Sequence, residues 1–181
     1  MTTTSPTHVA VTGATGFVGR HLVQALVDSG RHVRALARDL DKANETLPVS
    51  DLVTVIEGDL FDPASMDALA EGCGAFVHLV GIRKEKRPTV TFERMHVEAT
   101  QRAVDAASKS GATRYLQMSA LGSRPAARSA YHKTKYAAEE IVRGSDLAWT
   151  IFRPSLIIGA DGEFMQMARG WASGEEQPYL F

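Results

Sequence analysis

The sequence predicts an α/β domain in which a parallel sheet lies between two layers of helices. Six short runs rich in β-branched and aromatic residues alternate with amphipathic segments along the chain. Because strands separated by a helix pair in parallel through right-handed crossovers, this alternation favours a doubly wound sheet in a three-layer α/β/α arrangement. A glycine-rich turn follows the first run directly, where the first crossover of such a sheet begins.

The order of the elements follows from hydrophobic period and from turn residues. The predicted strands cover residues 8–13, 32–38, 52–59, 75–81, 114–120 and 149–158. The predicted helices cover residues 17–29, 63–71, 91–109 and 130–143, with a shorter one at 163–172. In the first helix the helical period is carried by Val18, Leu22, Ala25, Leu26 and Ser29. Gly30 supplies a stop signal after them. From the alternation of strands and helices and the position of the glycine-rich turn, we expect the strand order 3-2-1-4-5-6.

A single domain accounts for the whole chain of 181 residues, of which 44% are hydrophobic. We place its core at residues 8–158. Residues 159–181 are interpreted as the start of an incomplete substrate-binding segment, so the domain is expected to be truncated at its C-terminus. The sixth strand would then lack a neighbour, and the apolar end "PYLF" would have no obvious surface to pack against.

The composition argues against several classes of function. The formal net charge of −1 offers no global attraction to nucleic acid or to an anionic membrane surface. No apolar stretch approaches the ~20 residues of a membrane span, and "MTTTSPTH" has no features of a targeting signal, so we expect a cytoplasmic protein. Cys73 is the only cysteine, has no second metal ligand at useful spacing, and is expected to be a packing residue. No metal site is predicted.

A short basic cluster contains Arg83, Lys84, Lys86 and Arg87. Four positive charges are too few to attract nucleic acid or an anionic membrane surface. The cluster is interpreted as a solvated loop, and the alternative is a contact with a phosphate group of a substrate.

The glycine-rich turn reads "TGATGFVG", with Gly13, Gly16 and Gly19 at intervals of three residues between the first strand and the first helix. In such a turn the first glycine permits the tight bend, the second lets the backbone approach a pyrophosphate, and the third lets helix and strand pack closely. The helix N-terminus adds free N–H groups and the positive end of its dipole. The turn therefore predicts a dinucleotide site, to which we also assign Thr15, Phe17 and Val18.

The ends of the second and third strands are the expected contacts for the adenosine half of the dinucleotide. Arg38 and Asp39 come about 20 residues after the last glycine, where folds of this class bind the ribose. An arginine there can grip a 2′-phosphate, so we predict NADP(H); an inward Asp39 would instead bind the 2′-hydroxyl and select NAD(H). Asp59, followed by Leu60, is expected either to meet the adenine edge or to act as a helix-capping or loop carboxylate.

Several segments in this order resemble the extended and atypical short-chain dehydrogenase/reductases. They are "TGATGFVG", "GDL", "VHLVG", a Ser119 twelve positions before Tyr131, Lys135, and "FRPSLIIG". The segments "VHLVG", "MSALG" and "GEFMQMARGW" are most similar to the branch containing the nucleotide-binding accessory subunit of mitochondrial respiratory complex I and its bacterial relatives. The resemblance implies a Rossmann-like fold over nearly the whole chain, with further cofactor contacts at Val80, Lys135 and Pro154.

The resemblance also implies a catalytic set. Tyr131 would be the acid/base, Lys135 its partner, and Ser119 the hydroxyl that orients a substrate carbonyl. Tyr131 and Lys135 are four residues apart, so on a helix they share one face. A phenol with a pKa of ~10 needs a downward shift of about 3 units to work near neutrality, and both the Lys135 ammonium and an oxidised nicotinamide ring favour that shift.

Two histidines depart from the family pattern. His96 stands where the family usually has an asparagine that helps to organise a proton relay. It either substitutes for that asparagine, being ionisable near pH 6.5, or is a helix residue that faces the sheet or solvent. His78 is interpreted as a packed, hydrogen-bonded strand residue rather than a catalyst.

Two functions therefore remain open. The first is an NAD(P)-dependent reductase or sugar-nucleotide epimerase/dehydratase that acts on an unknown small molecule through Ser119, Tyr131 and Lys135. The second is a non-catalytic dinucleotide-binding module, structural or redox-sensing, as in a respiratory complex. Helices 91–109 and 130–143 are the expected surface for a homodimer, and a partner in a larger complex is the alternative.

Overall fold

The computed structural model describes residues 8–174. Its centre is a six-stranded parallel sheet with the predicted strand order, 3-2-1-4-5-6. The strands are β1 (His8–Thr12), β2 (His32–Ala37), β3 (Val53–Glu57), β4 (Ala75–His78), β5 (Arg114–Met118) and β6 (Ala148–Phe152). Strand β1 is central, because its Val9 is in register with Val33 of β2 on one side and with Ala75 of β4 on the other.

Helices connect the strands. They are α1 (Phe17–Asp28), α2 (Leu40–Thr46), α3 (Pro63–Ala70), α4 (Ala99–Lys109), α5 (Ala130–Arg143) and α6 (Glu163–Ser173). A π-helical turn, Glu93–Glu98, leads into α4, and the two together replace the single helix predicted at 91–109. Between residues 8 and 174, no helix combines the length and apolar character needed to cross a membrane.

The side chains of the strands alternate between two cores, one on each face of the sheet. Val9 and Val11 of β1 pack with Val23 of α1 and Ala43 of α2. Ala10, which lies between them, belongs to the other core, to which α3, α4 and α5 contribute. Central strands that are buried on both faces are typical of a parallel sheet between two helical layers. This confirms the predicted doubly wound, three-layer α/β/α fold.

The inward face of α1 includes the predicted Leu22 and Leu26, which are half-buried against the core, but it differs from the predicted face at other positions. Gly19 and Val23 are the buried residues of this helix, whereas Ala25 and Ser29 are exposed. The difference arises because Gly19, which has no apolar side chain, lies where the helix comes closest to the preceding turn. The predicted stop is confirmed, since Gly30 follows the helix with a φ of +75°.

Strands β4 and β6 are shorter than predicted. β6 ends at Phe152 instead of residue 158, because Pro154 has no N–H with which to continue the ladder. β4 ends at His78 instead of residue 81, and the chain leaves the sheet there. Both ends are at the carboxyl edge of the sheet, where the departing segments are free to line a binding site.

Helix α2 is not predicted by the sequence. Ala43 is the one buried residue among its seven, so the helix has almost no hydrophobic period. Its start is set by Asp39, whose carboxylate accepts a hydrogen bond from the Lys42 N–H at 3.0 Å.

Candidate functional site

The glycine-rich turn brings β1 and α1 into close contact at the carboxyl edge of the sheet. Gly13 has a φ of +75°, which residues with side chains rarely adopt, and its carbonyl accepts the Gly16 N–H at 3.1 Å. A Cβ on Gly19 would lie 2.1 Å from the Gly13 oxygen. The turn therefore needs glycine at 13 and 19, and it leaves the N-terminus of α1 open to an anionic ligand.

A groove begins at this turn and runs along the carboxyl ends of the strands. One half is lined by the ends of β1, β2 and β3, and the other by the start of α1, the end of β5, α5 and the segment after β6. Leu79, Gly81 and Ile82, which follow β4, line both halves. The two halves therefore adjoin each other along this segment. We call them the adenosine half and the substrate half.

Most of the predicted cofactor residues line this groove. The adenosine half contains Gly13, Thr15, Gly16, Arg38, Asp59, Leu60 and Val80. The substrate half contains Phe17, Val18, Lys135 and Pro154. Gly19 is buried behind the turn and does not line the groove.

The charges in the adenosine half come from the end of β2, from α2 and from the end of β3. Arg38 and Lys42 both line it, whereas the Asp39 carboxylate is engaged at the N-terminus of α2. Asp59 lines it too, and its Oδ1 accepts the Phe61 N–H at 2.8 Å, as in the loop-carboxylate alternative. Two cations and one loop carboxylate therefore surround the space beside β2.

Tyr131, Lys135 and Ser119 all line the substrate half. Helix α5 positions the first two; the Ser129 hydroxyl caps it by accepting the His132 N–H. Lys135 is only 4% exposed, and its Nζ donates to the Met118 carbonyl at 3.0 Å, where β5 ends. The fold thus brings together all three residues that the resemblance implies.

The hydroxyl of Ser119 is bound to a buried carboxylate. Ser119 Oγ donates to Glu139, whose fully buried side chain also accepts hydrogen bonds from Arg143 at 2.7 Å and from Arg153 Nε at 2.8 Å. Burial opposes the ionisation of Glu139, but the hydrogen bonds from Arg153, Ser119 and Arg143 outweigh it and lower the pKa of this carboxyl. Because a hydroxyl has a single proton, Ser119 can act toward a ligand only as an acceptor in this arrangement.

The protonation of Tyr131 differs from the expectation that Lys135 makes it acidic. In the protein alone, burial raises the pKa of Tyr131, and the charge of Arg83 opposes that shift only in part. Burial lowers the pKa of Lys135 to about 8, although the Glu139 carboxylate opposes the change. Desolvation disfavours the charged form of both groups, so the phenol keeps its proton at neutral pH.

His96 lies within the π-helical turn and is only 1% exposed. Its Nδ1 is 2.9 Å from Thr134 Oγ1 of α5, and its Nε2 is 3.1 Å from the Ile82 carbonyl oxygen. Its ring stands edge-on to that of Tyr131, with 5.3 Å between the ring centroids. Burial and the charge of Lys135 lower the pKa of His96 to about 4, so it is neutral at pH 7. His96 therefore bridges the segment after β4 and α5 and does not face solvent.

His78 is a packed, hydrogen-bonded strand residue, as predicted. It is fully buried on β4, and its Nδ1 lies 2.7 Å from Thr12 Oγ1. Burial, followed by the charges of Lys135 and His96, lowers the pKa of His78 to about 3. Its Nε2 has no hydrogen-bond partner among the described residues.

Cys73 and the basic cluster also lie where the sequence suggests. Cys73 is buried, and burial raises the pKa of its thiol to about 11, which agrees with a packing role. Arg87 pairs with Glu85 at 3.0 Å on an exposed loop. Arg83 is also exposed, yet it lines the substrate half of the groove. The cluster is therefore a solvated loop with one member at the site.

The model of the NAD(P)H-binding family matches residues 13–169, from the glycine-rich turn to α6. The chain belongs to this family. The match includes both halves of the groove and every element that positions Ser119, Tyr131 and Lys135. This NAD(P)H-binding domain thus has the fold and the cofactor class that the glycine turn predicts.

Two curated relatives and one solved structure show the wider kinship. A ceramide reductase from Caulobacter vibrioides (strain NA1000 / CB15N) is 40% identical over 153 residues, covering 83% of this chain and 46% of that protein. The mitochondrial NADH dehydrogenase [ubiquinone] 1 alpha subcomplex subunit 9 of Arabidopsis thaliana is 31% identical over 158 residues, covering 86% of this chain and 39% of that protein. The chain spans less than half the length of these two curated relatives.

The solved structure is MoeE5 in complex with UDP-glucuronic acid and NAD. It is 27% identical with a TM-score of 0.72, covering 93% of this chain and 62% of the other. Together with the two curated relatives, it confirms the resemblance to extended short-chain dehydrogenase/reductases and to the complex I branch.

Several residues of the site are missed by sequence reasoning. Glu139 carries a usable signal, since it follows Lys135 by four positions and so shares its helix face. Lys42 carries a weaker one, as a cation just beyond Arg38. Arg153 and Phe164, in contrast, reach the site only through the path of the chain after β6, which no local pattern predicts.

Proposed function

We propose that this chain is the cofactor-binding domain of an NADPH-dependent oxidoreductase that reduces a carbonyl group. The observation that carries the proposal is that the half of the groove at the glycine-rich turn adjoins the half that contains Tyr131 and Lys135. A reduced nicotinamide supplies a hydride to the carbonyl carbon, and the carbonyl oxygen then needs a proton. The relative named as a reductase supports this reaction class.

Tyr131 is proposed as the proton donor. A phenol whose pKa is raised by burial keeps its proton at pH 7, as a general acid must before the reaction. Lys135, with a pKa of about 8, is mostly charged at pH 7 and favours the phenolate that remains after the proton has moved. The pair is therefore better prepared for carbonyl reduction than for alcohol oxidation.

Ser119 is proposed to orient the reacting oxygen. To donate to a carbonyl, its hydroxyl must turn away from Glu139, which then keeps three hydrogen bonds from Arg143 and Arg153. If the hydroxyl stays in place, Ser119 accepts a hydrogen bond from the alcohol product. The carboxylate thus has enough other donors to release Ser119 during the reaction.

Replacing Tyr131 with phenylalanine tests the catalytic part of the proposal. Once a carbonyl substrate has been found by screening for NADPH oxidation, Tyr131→Phe should lower kcat by about 100-fold or more, because general acid catalysis is lost. Cofactor affinity should stay within about twofold. Tyr136→Phe on the same helix is the matched control and should keep full activity. An unchanged kcat in Tyr131→Phe would show that the phenol does not transfer the proton.

We propose further that NADP(H) is preferred over NAD(H). Arg38 and Lys42 both line the adenosine half, while the Asp39 carboxylate is engaged at the start of α2. A 2′-phosphate beside two cations gains charge-assisted hydrogen bonds, each of which raises affinity about tenfold or more.

Fluorescence titrations with NADPH and NADH test this preference. Arg38→Ala should weaken NADPH binding about tenfold and leave NADH binding unchanged, and Arg124→Ala, at an exposed position outside the groove, serves as the control. Tighter binding of NADH by the unmodified chain would overturn the assignment, as would a selective loss of NADH binding in Asp39→Asn.

A non-catalytic dinucleotide-binding module is the second candidate. It is favoured because the Ser119 hydroxyl and the Lys135 ammonium both donate to protein acceptors. The Arabidopsis relative is named as a subunit of NADH dehydrogenase. For such a module, NADPH should raise the melting temperature while a broad carbonyl screen gives no turnover. Turnover that depends on Tyr131 would exclude this candidate.

The organisation of the chain is part of the proposal. We infer one domain with its core at residues 8–158, after which α6 begins the substrate side, since Phe164 lines the groove. A homodimer through α4 and α5 and a cytoplasmic location are also proposed. Light scattering and cell fractionation check these two inferences, and a stable monomer at high protein concentration would contradict the dimer.

A further inference from the structure

The substrate half of the groove is largely apolar beyond Tyr131 and Lys135. Phe17, Val18, Leu79, Ile82, Leu156 and Ile157 form much of its wall. Leu156 and Ile157 are also exposed, by 54% and 39%, so the same side chains belong to the wall and to the outer surface. The apolar wall therefore continues out of the groove.

Further apolar side chains extend this surface. Ile158 follows directly and is 64% exposed. Leu121 is 62% exposed and lies beside the same segment, because its N–H donates to the Pro154 carbonyl at 2.8 Å. We call Leu121, Leu156, Ile157 and Ile158 the apolar rim. Adjacent exposed aliphatic side chains of this size typically mark a binding surface.

The polar side chains that line the substrate half are few. Arg83 and Lys135 are the two charged side chains among its described lining residues, and no carboxylate or carboxamide side chain joins them there. A sugar ring presents several hydroxyl groups that need such partners, since an unpaired polar group loses its hydrogen bonds with water on binding. The lining is better matched to a hydrocarbon chain than to a sugar.

We propose that the groove binds a lipid-like substrate, in which the reacting carbonyl or alcohol group carries an alkyl chain that lies along the apolar rim. The proposal rests on the function proposed above and names the substrate class of that site. An alkyl chain is favoured over a second protein molecule, because the rim joins the groove wall at Leu156 and Ile157 with no polar boundary between them.

A homologous series of ketones tests the proposal by binding alone. With the protein saturated with NADP⁺, which has no hydride to transfer to a ketone, the affinities of 2-hexanone, 2-octanone and 2-decanone are measured by calorimetry. Burial of one methylene group is worth a factor of about 4 in affinity, so we expect a gain of about 15-fold at each step of two methylenes. Equal affinities for the three ketones would overturn the proposal.

Substitutions on the apolar rim test whether the alkyl chain of the ketone lies along it. Leu156→Asp and Ile158→Asp should remove the dependence on chain length, and Leu156→Met should retain it. Val49→Asp is the matched control, because Val49 is an exposed aliphatic residue that lies outside the groove. Equal losses in Val49→Asp and Leu156→Asp would mean that the ketones bind non-specifically, and would also overturn the proposal.

The outcomes separate this inference from the proposed enzyme function. NADPH binding together with equal ketone affinities would refute the alkyl-chain site and leave the oxidoreductase proposal intact. Chain-length-dependent binding without NADPH oxidation would support the site and argue against catalysis. Ketone affinities that rise on tenfold dilution of the protein, together with a dimer in light scattering, would show that a second copy covers the rim.

Discussion

At the scale of single residues, Glu139 organises much of the polar structure around Ser119. It is fully buried on α5 and joins Ser119 after β5 to Arg153 after β6 and to Arg143 on its own helix. A buried carboxylate is tolerated when hydrogen bonds and opposite charges replace its hydration. One side chain thus connects three elements at the substrate end of the groove.

Removal of this carboxylate should destabilise the fold. We expect Glu139→Ala to lower the free energy of unfolding by about 3 kcal/mol, near the lower end for breaking a buried ion pair, because both arginines are partly exposed and can regain water. Glu140→Ala, which removes an exposed partner of Arg143, should change it by no more than about 0.5 kcal/mol. Urea denaturation of the two variants makes the comparison. Equal losses would contradict the role of Glu139.

The low pKa values of His78 and His96 predict that the folded protein loses stability in acid. Their pKa values in the folded state, about 3 and about 4, lie below the unfolded-state value near 6.5. The unfolded chain therefore binds more protons as the pH falls. Stability that is present above pH 6.5 is lost between about pH 6.5 and pH 4 for His96, and down to about pH 3 for His78. At pH 5 each histidine should account for about 2 kcal/mol.

Denaturation at pH 7.5 and pH 5.0 measures this loss. His96→Asn should reduce the difference between the two pH values by about 2 kcal/mol, since one buried titrating group has been removed. The exposed His21 supplies the control, because His21→Asn should leave the difference unchanged. If the His96 variant and the unmodified chain showed the same pH dependence of stability, protonation of His96 would not be a cause of the loss in acid.

At the scale of elements, caps decide where the short helices begin. α2 has a single buried residue, so its stability depends more on the Asp39 cap than on packing. We expect Asp39→Ala to lower the free energy of unfolding by about 1 kcal/mol and Asp39→Asn, which keeps a capping oxygen, to be nearly neutral. Thermal denaturation distinguishes the two. If both variants lose the same stability, the charge of Asp39 matters and not its capping bond.

The elements also differ in what their sequences reveal. α5 runs over the predicted residues 130–143, because Ser129 caps it and its apolar positions recur at a helical period. The π-helical turn before α4 is not predictable in the same way. It places His96 against Tyr131 through contacts with Thr134 and Ile82, which are distant in sequence.

At the scale of the whole molecule, burial decreases from the centre of the sheet to its edges. All four residues of β4 are buried, whereas none of the residues of β3 and β6 is fully buried. β6 pairs with β5 alone among the described strands, so its outer edge carries free backbone groups. The edges of the sheet should therefore open more readily than its centre.

Hydrogen exchange measures this gradient. The backbone amides of Val11 in β1 and Val77 in β4 should exchange at least about ten times more slowly than those of β6, because central strands open only with the whole domain. NADPH should slow exchange at the ends of β1 and β4, which border the groove. Uniform protection from β4 to β6 would show that the edge is covered in solution.

Much of the groove can be predicted from the sequence, because its signals are local. The turn needs Gly13 for its positive φ and Gly19 for its close approach to the Gly13 carbonyl, and both reasons are local to the turn. Arg38 and Asp59 stand at strand ends that the alternation of elements predicts. The spacing of Tyr131 and Lys135 places both on one helix face. Such features depend on a few consecutive residues, so their positions in the fold can be predicted without knowledge of the packing.

The sequence by itself thus determined the parallel α/β sheet, its strand order and the residues along its carboxyl edge. The tertiary structure alone decided the protonation and the partners of those residues. Burial keeps the proton on Tyr131. Glu139 accepts a hydrogen bond from the Ser119 hydroxyl, and the Met118 carbonyl accepts one from Lys135. These outcomes depend on desolvation and on contacts between elements far apart in the chain, and neither is encoded in a local pattern.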